Sequence, residues 1–127
     1  MEKMRVQENR GLTGKERLLL ERLLSRGTPD SKSYVEQLPL VTVASRCGCG
    51  CPTIDLAVGG RVASPRSPTV ILSEAGGVSP EGISFGIILH GRDGLISELE
   101  LYPVDGEGVF TIPDIERIEF YTGGSCP

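Results

Sequence analysis

The sequence lacks tryptophan, has one histidine and is poor in aromatic residues, which make up 5% of the chain. The core must therefore be aliphatic, with phenylalanines as its larger members. No stretch approaches the roughly 18 apolar residues of a membrane span, and the start, Met1-Glu2-Lys3-Met4-Arg5, lacks the apolar segment of a secretory signal. These absences predict a cytoplasmic protein that does not insert into a membrane.

The chain also lacks a basic excess. Its net charge is -4, whereas binding to nucleic acid needs clustered Lys and Arg side chains that release counterions from phosphate. We therefore expect no nucleic-acid partner. The length of 127 residues is that of one domain, and the 17 glycines and 9 prolines favour turns and strands over long helices.

The first third of the chain predicts two helices. Thr13 followed by Glu16 matches a capping box. Leucines then recur at helical spacing, which predicts a helix over residues 13–26 that packs its leucine side on a sheet. Pro29 can open a second, shorter helix that runs to about Gln37.

From Leu40 onward the apolar pattern takes the two-residue period of strands. The predicted strands cover residues 40–45, 53–58, 69–74, 83–90, 95–102 and 109–112, and residues 115–121 form either a last edge strand or a helical turn. The expected fold is α+β, with two N-terminal helices packed on one face of a mostly antiparallel five- or six-stranded sheet. The single domain spans residues 13–121, between a flexible N-terminus at 1–12 and a flexible C-terminus at 122–127.

Asp93-Gly94 predicts a tight hairpin turn, and the strand that follows it alternates in character. Leu95, Leu99 and Leu101 share one face, and Ile96, Glu98, Glu100 and Tyr102 share the other. The carboxylates form an acidic strip with Asp93, which could bind a basic partner or simply keep the protein soluble. Asp55, in another predicted strand, either orients a site residue or alternates outward.

The run Cys47-Gly48-Cys49-Gly50-Cys51-Pro52 places three of the four cysteines on alternate positions. Disulfides do not persist in a reducing cytoplasm, so the thiols indicate a metal site, redox chemistry or packed structural side chains. Sulfur ligands of one zinc ion lie about 4 Å apart, whereas alternate strand positions are about 6.8 Å apart. A site would need a curled loop, which the glycines permit. Cys126 or His90 would supply the fourth ligand.

His90 ends an apolar strand beside a turn and could act as a general base, or it could be a partly exposed side chain without catalytic duty. A cysteine paired with His90 would outline a thiol nucleophile, but no sequence feature places the two together. The sequence contains no phosphate loop, dinucleotide fingerprint, nucleophile elbow or metalloprotease helix. We therefore predict no catalytic residues.

The cysteine run through Asp55, followed by Asp93–Tyr102 and Pro113-Asp114, resembles a family of small bacterial proteins of unknown function. The shared feature is the motif Cys-Gly-Cys-Gly-Cys-Pro-Thr, and the likeness spans roughly residues 40–116. Cys126 lies outside it. The resemblance implies a bacterial, cytoplasmic protein and implies no particular chemistry.

The leading expectation is a small cytoplasmic, non-catalytic binding or accessory domain, of the immunity-protein kind, that presents its sheet face or acidic strip to a protein partner. The alternative is a zinc- or iron-binding or thiol-redox protein that uses Cys47, Cys49 and Cys51. An enzyme in the ordinary sense ranks third. The sequence does not determine the oligomeric state, although an edge strand near the C-terminus could support a dimer.

Overall fold

The structure, a computed structural model, describes residues 5–48, 51–106 and 108–121. Its strands are β1 (Arg5–Gly11), β2 (Val41–Cys47), β3 (Ile54–Val58), β4 (Thr69–Val78), β5 (Ser84–Arg92), β6 (Leu95–Pro103) and β7 (Ile118–Tyr121). Helix α1 spans Gly14–Arg26, a 3₁₀ helix spans Pro29–Leu40, and a short 3₁₀ turn spans Ile115–Arg117. None of the helices in these ranges has the length and apolar character needed to cross a bilayer.

The strands form one antiparallel sheet in the order β1-β2-β3-β6-β5-β4-β7. The predicted α+β class, with helices from the N-terminal part of the chain, is confirmed, but the described residues form a sheet of seven strands where five or six were expected. Neighbouring strands of the sheet are also consecutive strands of the chain, except where β3 meets β6 and where β4 meets β7. The pairing of β3 with β6 joins a three-stranded part, β1-β2-β3, to a four-stranded part.

The first strand is absent from the sequence prediction. A flexible N-terminus over residues 1–12 does not describe residues 5–11, which pair with β2 as an edge strand. Neither side of this strand is fully buried, so it carries no apolar alternation that a sequence pattern could reveal. Backbone pairing holds it in place, together with Arg10, which donates to both carboxylate oxygens of Glu16 at 2.8 and 2.9 Å.

Three further segments differ from the prediction. Residues 109–112 are irregular and not a strand, because Phe110 turns into the core and stacks on Phe85 at a centroid distance of 5.1 Å. Residues 115–121 contain both proposed structures in succession, a 3₁₀ turn and then β7. The second predicted helix is 3₁₀ in type and continues through Pro39 to Leu40.

Helix α1 follows its sequence signals closely. The Thr13 hydroxyl accepts a hydrogen bond from Glu16 N at 3.1 Å, and Thr13 N donates to Glu16 Oε1 at 2.9 Å, so the predicted capping box is present. The leucine side packs on the sheet, and its buried members are Leu19, Leu20, Leu23 and Leu24. The core therefore lies between α1, the 3₁₀ helix and one face of the sheet.

The hairpin of β5 and β6 turns at Asp93-Gly94, where both residues have positive φ angles of 56° and 73°. This confirms the tight turn. A β-bulge follows, because His90 pairs with Glu98 but Gly91 pairs with Ile96, which leaves Ser97 as an extra residue. The bulge places Ile96 in the core, fully buried, and not beside the carboxylates as strict alternation predicts.

Replacing Glu16 with glutamine tests how the edge strand is held to α1. Burial alone would raise the pKa of Glu16, but the hydrogen bonds from Arg10 and Thr13 outweigh it and lower this pKa. The ionised carboxylate therefore stabilises the fold above its unfolded pKa, and this stabilisation is lost as the pH falls through the folded pKa. We expect Glu16→Gln to lower the free energy of unfolding by about 1 kcal/mol at pH 7, with a smaller loss in acid.

Urea unfolding at pH 7 and pH 3 measures the loss of stability that Glu16→Gln causes at neutral and at acid pH. Glu21→Gln is the matched control, because Glu21 is exposed on the same helix and should change stability by less than about 0.5 kcal/mol. An equal loss of stability for both variants at pH 7 would show that the contacts of the Glu16 carboxylate do not stabilise the fold.

Candidate functional site

The polar residues of the sheet collect on the face that points away from α1, which we call the open face. Directly paired positions share a face of a sheet, and one such row crosses six strands. Its members, in order from β1 to β4, are Gln7, Ser45, Asp55, Glu98, His90 and Ile71. Five of the six are polar, and two carboxylates stand next to each other at its centre.

Arg5 bridges these central carboxylates from the edge strand. Its Nε lies 3.3 Å from Asp55 Oδ2, and its Nη2 lies 3.5 Å from Glu98 Oε2. The Ser45 hydroxyl donates to the same Asp55 oxygen at 2.6 Å. The side chains of Asp55 and Glu98 are each 25% exposed, so this small network is half-buried.

His90 and Glu100 form a second pair on the open face. The ring donates through Nε2 to Glu100 Oε1 at 2.9 Å, since an ionised carboxylate can only accept. The other ring nitrogen, Nδ1, is buried and has no hydrogen-bond partner among the described residues. One nitrogen of the imidazole is therefore engaged and the other is shielded from solvent.

Glu98 is the most perturbed member of the cluster. Burial raises its pKa, the charge of His90 opposes this rise, and the neighbouring Asp55 adds to it. Glu100 raises the pKa of Glu98 further, while Arg5 lowers it. The net effect is a raised pKa, and burial is its largest cause.

Two cavities adjoin this cluster. The larger, of about 660 Å³, lies between the open face and the loop after β3, and it is lined by Arg5, Gln7, Asn9, Ala44, Ser45, Asp55, Val62, Ala63, Pro65, Arg92, Ser97 and Glu98. The smaller, of about 350 Å³, is lined by Arg5, Cys51, Thr53, Glu98, Glu100, Leu101, Tyr102, Pro103, Gly106, Gly108 and Val109. Arg5 and Glu98 line both, so their contact separates two parts of one groove.

A glycine fixes one wall of the smaller cavity. Gly86 on β5 pairs with Tyr102 on β6, and a methyl group at Gly86 would overlap the Tyr102 ring. The missing side chain lets the ring lie across the neighbouring strand. Tyr102 is thereby held beside Glu100 and Leu101 at the end of the groove.

The two ends of the cysteine segment lie close together, because Cys47 N donates to Thr53 O at 3.1 Å. The Thr53 hydroxyl donates to Leu101 O and accepts from Leu101 N, both at 2.9 Å, and so fastens Thr53 to β6. Cys47 is buried at the end of β2, whereas the half-buried Cys51 lines the smaller cavity.

The structure describes only part of the candidate ligand set, namely Cys47, Cys51 and His90. Cys49 and Cys126 lie outside the described residues. His90 belongs to the row around Glu98, and it does not line the cavity that Cys51 lines. Within residues 5–48, 51–106 and 108–121, no group of three or more His, Cys, Asp and Glu side chains is arranged to hold a metal ion.

The acidic strip is also rearranged. Glu98 and Glu100 lie side by side on the open face as expected, and Asp55 joins them from β3. Asp93 does not join them, because its carboxylate accepts a hydrogen bond from Ser64 N at 2.7 Å in the loop after β3. Asp93 therefore holds in place the loop after β3, which lines the larger cavity.

Arg5 and Ser45 are the members of the site that the sequence did not indicate. Arg5 lies in a polar segment without periodicity, and Ser45 is one small polar residue in an apolar strand. Glu8 and Arg10 are polar as well, so no alternation marks Arg5, Gln7 and Asn9, which all line the larger cavity.

Comparison of the chain with protein-family models, with curated proteins and with solved structures gave no match.

Replacing Glu98 with glutamine should stabilise the protein at neutral pH. Because burial raises the pKa of Glu98, the folded state keeps this proton to a higher pH than the unfolded state. The associated stability is present below the unfolded pKa and is lost as the pH rises through the folded pKa. Glutamine resembles the protonated form, so Glu98→Gln should remove this loss.

Urea unfolding between pH 4 and pH 7 tests the point, with Glu36→Gln as the control, because Glu36 is exposed on the 3₁₀ helix. A Glu98→Gln variant that is less stable than the parent at pH 7 would show that the contact with Arg5 outweighs the burial of the charge.

Proposed function

We propose that the protein is a small, non-catalytic binding domain whose open face receives a basic side chain from a protein partner in the cytoplasm. The observation that carries this proposal is the cluster of Asp55, Glu98 and Glu100, which lies at the junction of two cavities with one guanidinium at its centre. The cluster has the charge and the space for a second cation.

Electrostatics supports a basic ligand. Like charges on adjacent strands repel, and partial burial strengthens that repulsion because water screens it less. Burial is the largest cause of the raised pKa of Glu98, and the charges of Asp55 and Glu100 add to it. Arg92 also lines the larger cavity, and its charge helps to lower the pKa of Asp93, after the hydrogen bonds from Ser67 and Ser64.

The shape of the groove supports a peptide segment as the ligand. Its charged centre lies between apolar ends, with Val62 in the larger cavity and Val109 in the smaller. These side chains are 62% and 65% exposed. A basic side chain flanked by apolar residues would match this order of charged and apolar contacts.

The environment of His90 favours binding over catalysis. A general base must reach the proton it removes, within about 3 Å or through one water molecule. Nε2 of His90 is engaged by Glu100, and Nδ1 is buried. The ring is therefore held as a structural part of the open face.

A titration with a short capped peptide, Ala-Val-Arg-Val-Ala, tests the proposal. In backbone amide NMR spectra, we expect saturable shifts at Ser45, Asp55 and Glu98, and no shifts with Ala-Val-Glu-Val-Ala. Loss of one charge-assisted hydrogen bond should weaken binding to Glu98→Gln by about tenfold. Glu36→Gln, with the same change of charge on the helix side of the sheet, should bind like the parent.

Equal weakening by the two variants would indicate nonspecific attraction to an acidic protein and contradict the proposal. The same conclusion would follow if both peptides caused the same shifts.

A second function, metal binding or thiol-redox chemistry at Cys47, Cys49 and Cys51, is favoured by one observation. The hydrogen bond from Cys47 N to Thr53 O brings the two ends of the segment together, as a chelating loop requires. Cys51 also opens onto the cavity that contains Glu98 and Glu100. We propose zinc or iron as the candidate metal.

Elemental mass spectrometry on untagged protein, with a count of reactive thiols in the same sample, tests this second function. If the cysteine segment is a metal site, we expect about one zinc or iron ion per chain and thiols that react only after a chelator is added. Metal-free protein whose thiols react only on unfolding would assign the cysteines to packing.

A further inference from the structure

Two arginines of β1 make different contacts with carboxylates. Arg10 forms a two-pronged pair with Glu16, with nitrogen–oxygen distances of 2.8 and 2.9 Å. Arg5 divides its guanidinium between Asp55 and Glu98, with one long contact to each, at 3.3 and 3.5 Å. Charge-assisted bonds of full strength are about 2.7–2.9 Å long. Arg10 is therefore anchored, and Arg5 is held loosely.

The position of Arg5 makes it easy to displace. It lies on an edge strand that, among the described residues, pairs on one side only, with β2. The pairing is interrupted by a register shift between Gln7 and Arg10, so Arg5 lies in the outer part of the strand, beyond this irregularity. Its side chain is 37% exposed. Movement of this side chain needs no change in the core.

Arg5 also occupies the centre of the groove. It lines both the 660 Å³ and the 350 Å³ cavity, and with Glu98 it forms the partition between them. If the Arg5 side chain moved away, the two cavities would merge, and Asp55, Glu98 and Glu100 would line one continuous space.

We propose that Asp55 and Glu98 form a binding site for a guanidinium group, that Arg5 fills this site in the isolated chain, and that an arginine of the partner displaces it. This inference rests on the proposed function, because it names the chemical group that the open face recognises. Arg5 acts as an internal competitor, so it weakens binding and excludes ligands that cannot replace its contacts.

An arginine ligand fits this exchange better than a lysine. A guanidinium is planar and can donate two parallel hydrogen bonds to one carboxylate, whereas an ammonium group is a point charge. Arg5 makes no such paired contact with Asp55 or Glu98. An incoming guanidinium that approaches from the cavity can therefore gain a contact that Arg5, tethered to β1, does not make.

Calorimetric titration with acetyl-arginine methylamide tests the inference on the full chain. We expect Arg5→Ala to bind this capped arginine about tenfold more tightly than the parent, which corresponds to removal of one weak internal competitor. The same substitution should increase the affinity for capped lysine by a smaller factor. The double variant Arg5→Ala/Glu98→Gln should lose most of the gain, because one carboxylate of the site is then neutral.

Arg46→Ala is the matched control. Arg46 lies on the neighbouring strand β2, contacts Glu8 at 3.6 Å and lines neither cavity. It should bind capped arginine like the parent. An equal gain for Arg46→Ala and Arg5→Ala would show a general effect of net charge and overturn the inference.

The remaining outcomes separate the two proposals. If the parent and Arg5→Ala bind capped arginine equally well, Arg5 is not a competitor, and the binding function stands without it. If neither binds capped arginine or the Ala-Val-Arg-Val-Ala peptide, the proposed function fails, and the inference fails with it. Should Arg5→Ala lose the pairing of β1, as judged from its amide spectrum, Arg5→Gln keeps most of the side chain and is measured instead.

Discussion

The pairing of β3 with β6 is the constraint on which the rest of the structure depends. It joins the strands β1-β2-β3 to the strands β6-β5-β4-β7, and its paired positions are Ile54 with Leu99 and Asp55 with Glu98. The ladder is short, and the Thr53 hydroxyl extends it through two hydrogen bonds to the backbone of Leu101. One face of this pairing contributes to the core, and the other places two carboxylates next to each other.

The open face therefore combines residues from distant parts of the chain at one position. The β5–β6 hairpin contributes His90, Glu98 and Glu100, which a tight turn brings together without help from the rest of the fold. Asp55 and Arg5 reach them only when both parts of the sheet are joined. The charge of the cluster is consequently a property of the folded sheet and not of any segment.

Local signals predicted local structure well. The capping box at Thr13 and the turn at Asp93-Gly94 are correct because each depends on neighbours within four residues. The sequence could not place Arg5 beside Glu98, because 93 positions separate them and β1 has no apolar alternation. The bulge at Ser97 likewise moved Ile96 into the core, since one extra residue reverses the alternation along a strand.

Asp55 and Glu98 lie on opposite sides of the β3–β6 junction, so binding of a cation to this pair depends on the pairing of the two strands. Separation of the two groups of strands is a local opening, and its free energy controls hydrogen exchange of the amides between them. A cation held by Asp55 and Glu98 together binds only while these strands are paired. By mass action, such a ligand would slow exchange at this junction more than within the β5–β6 hairpin, which has its own local pairing.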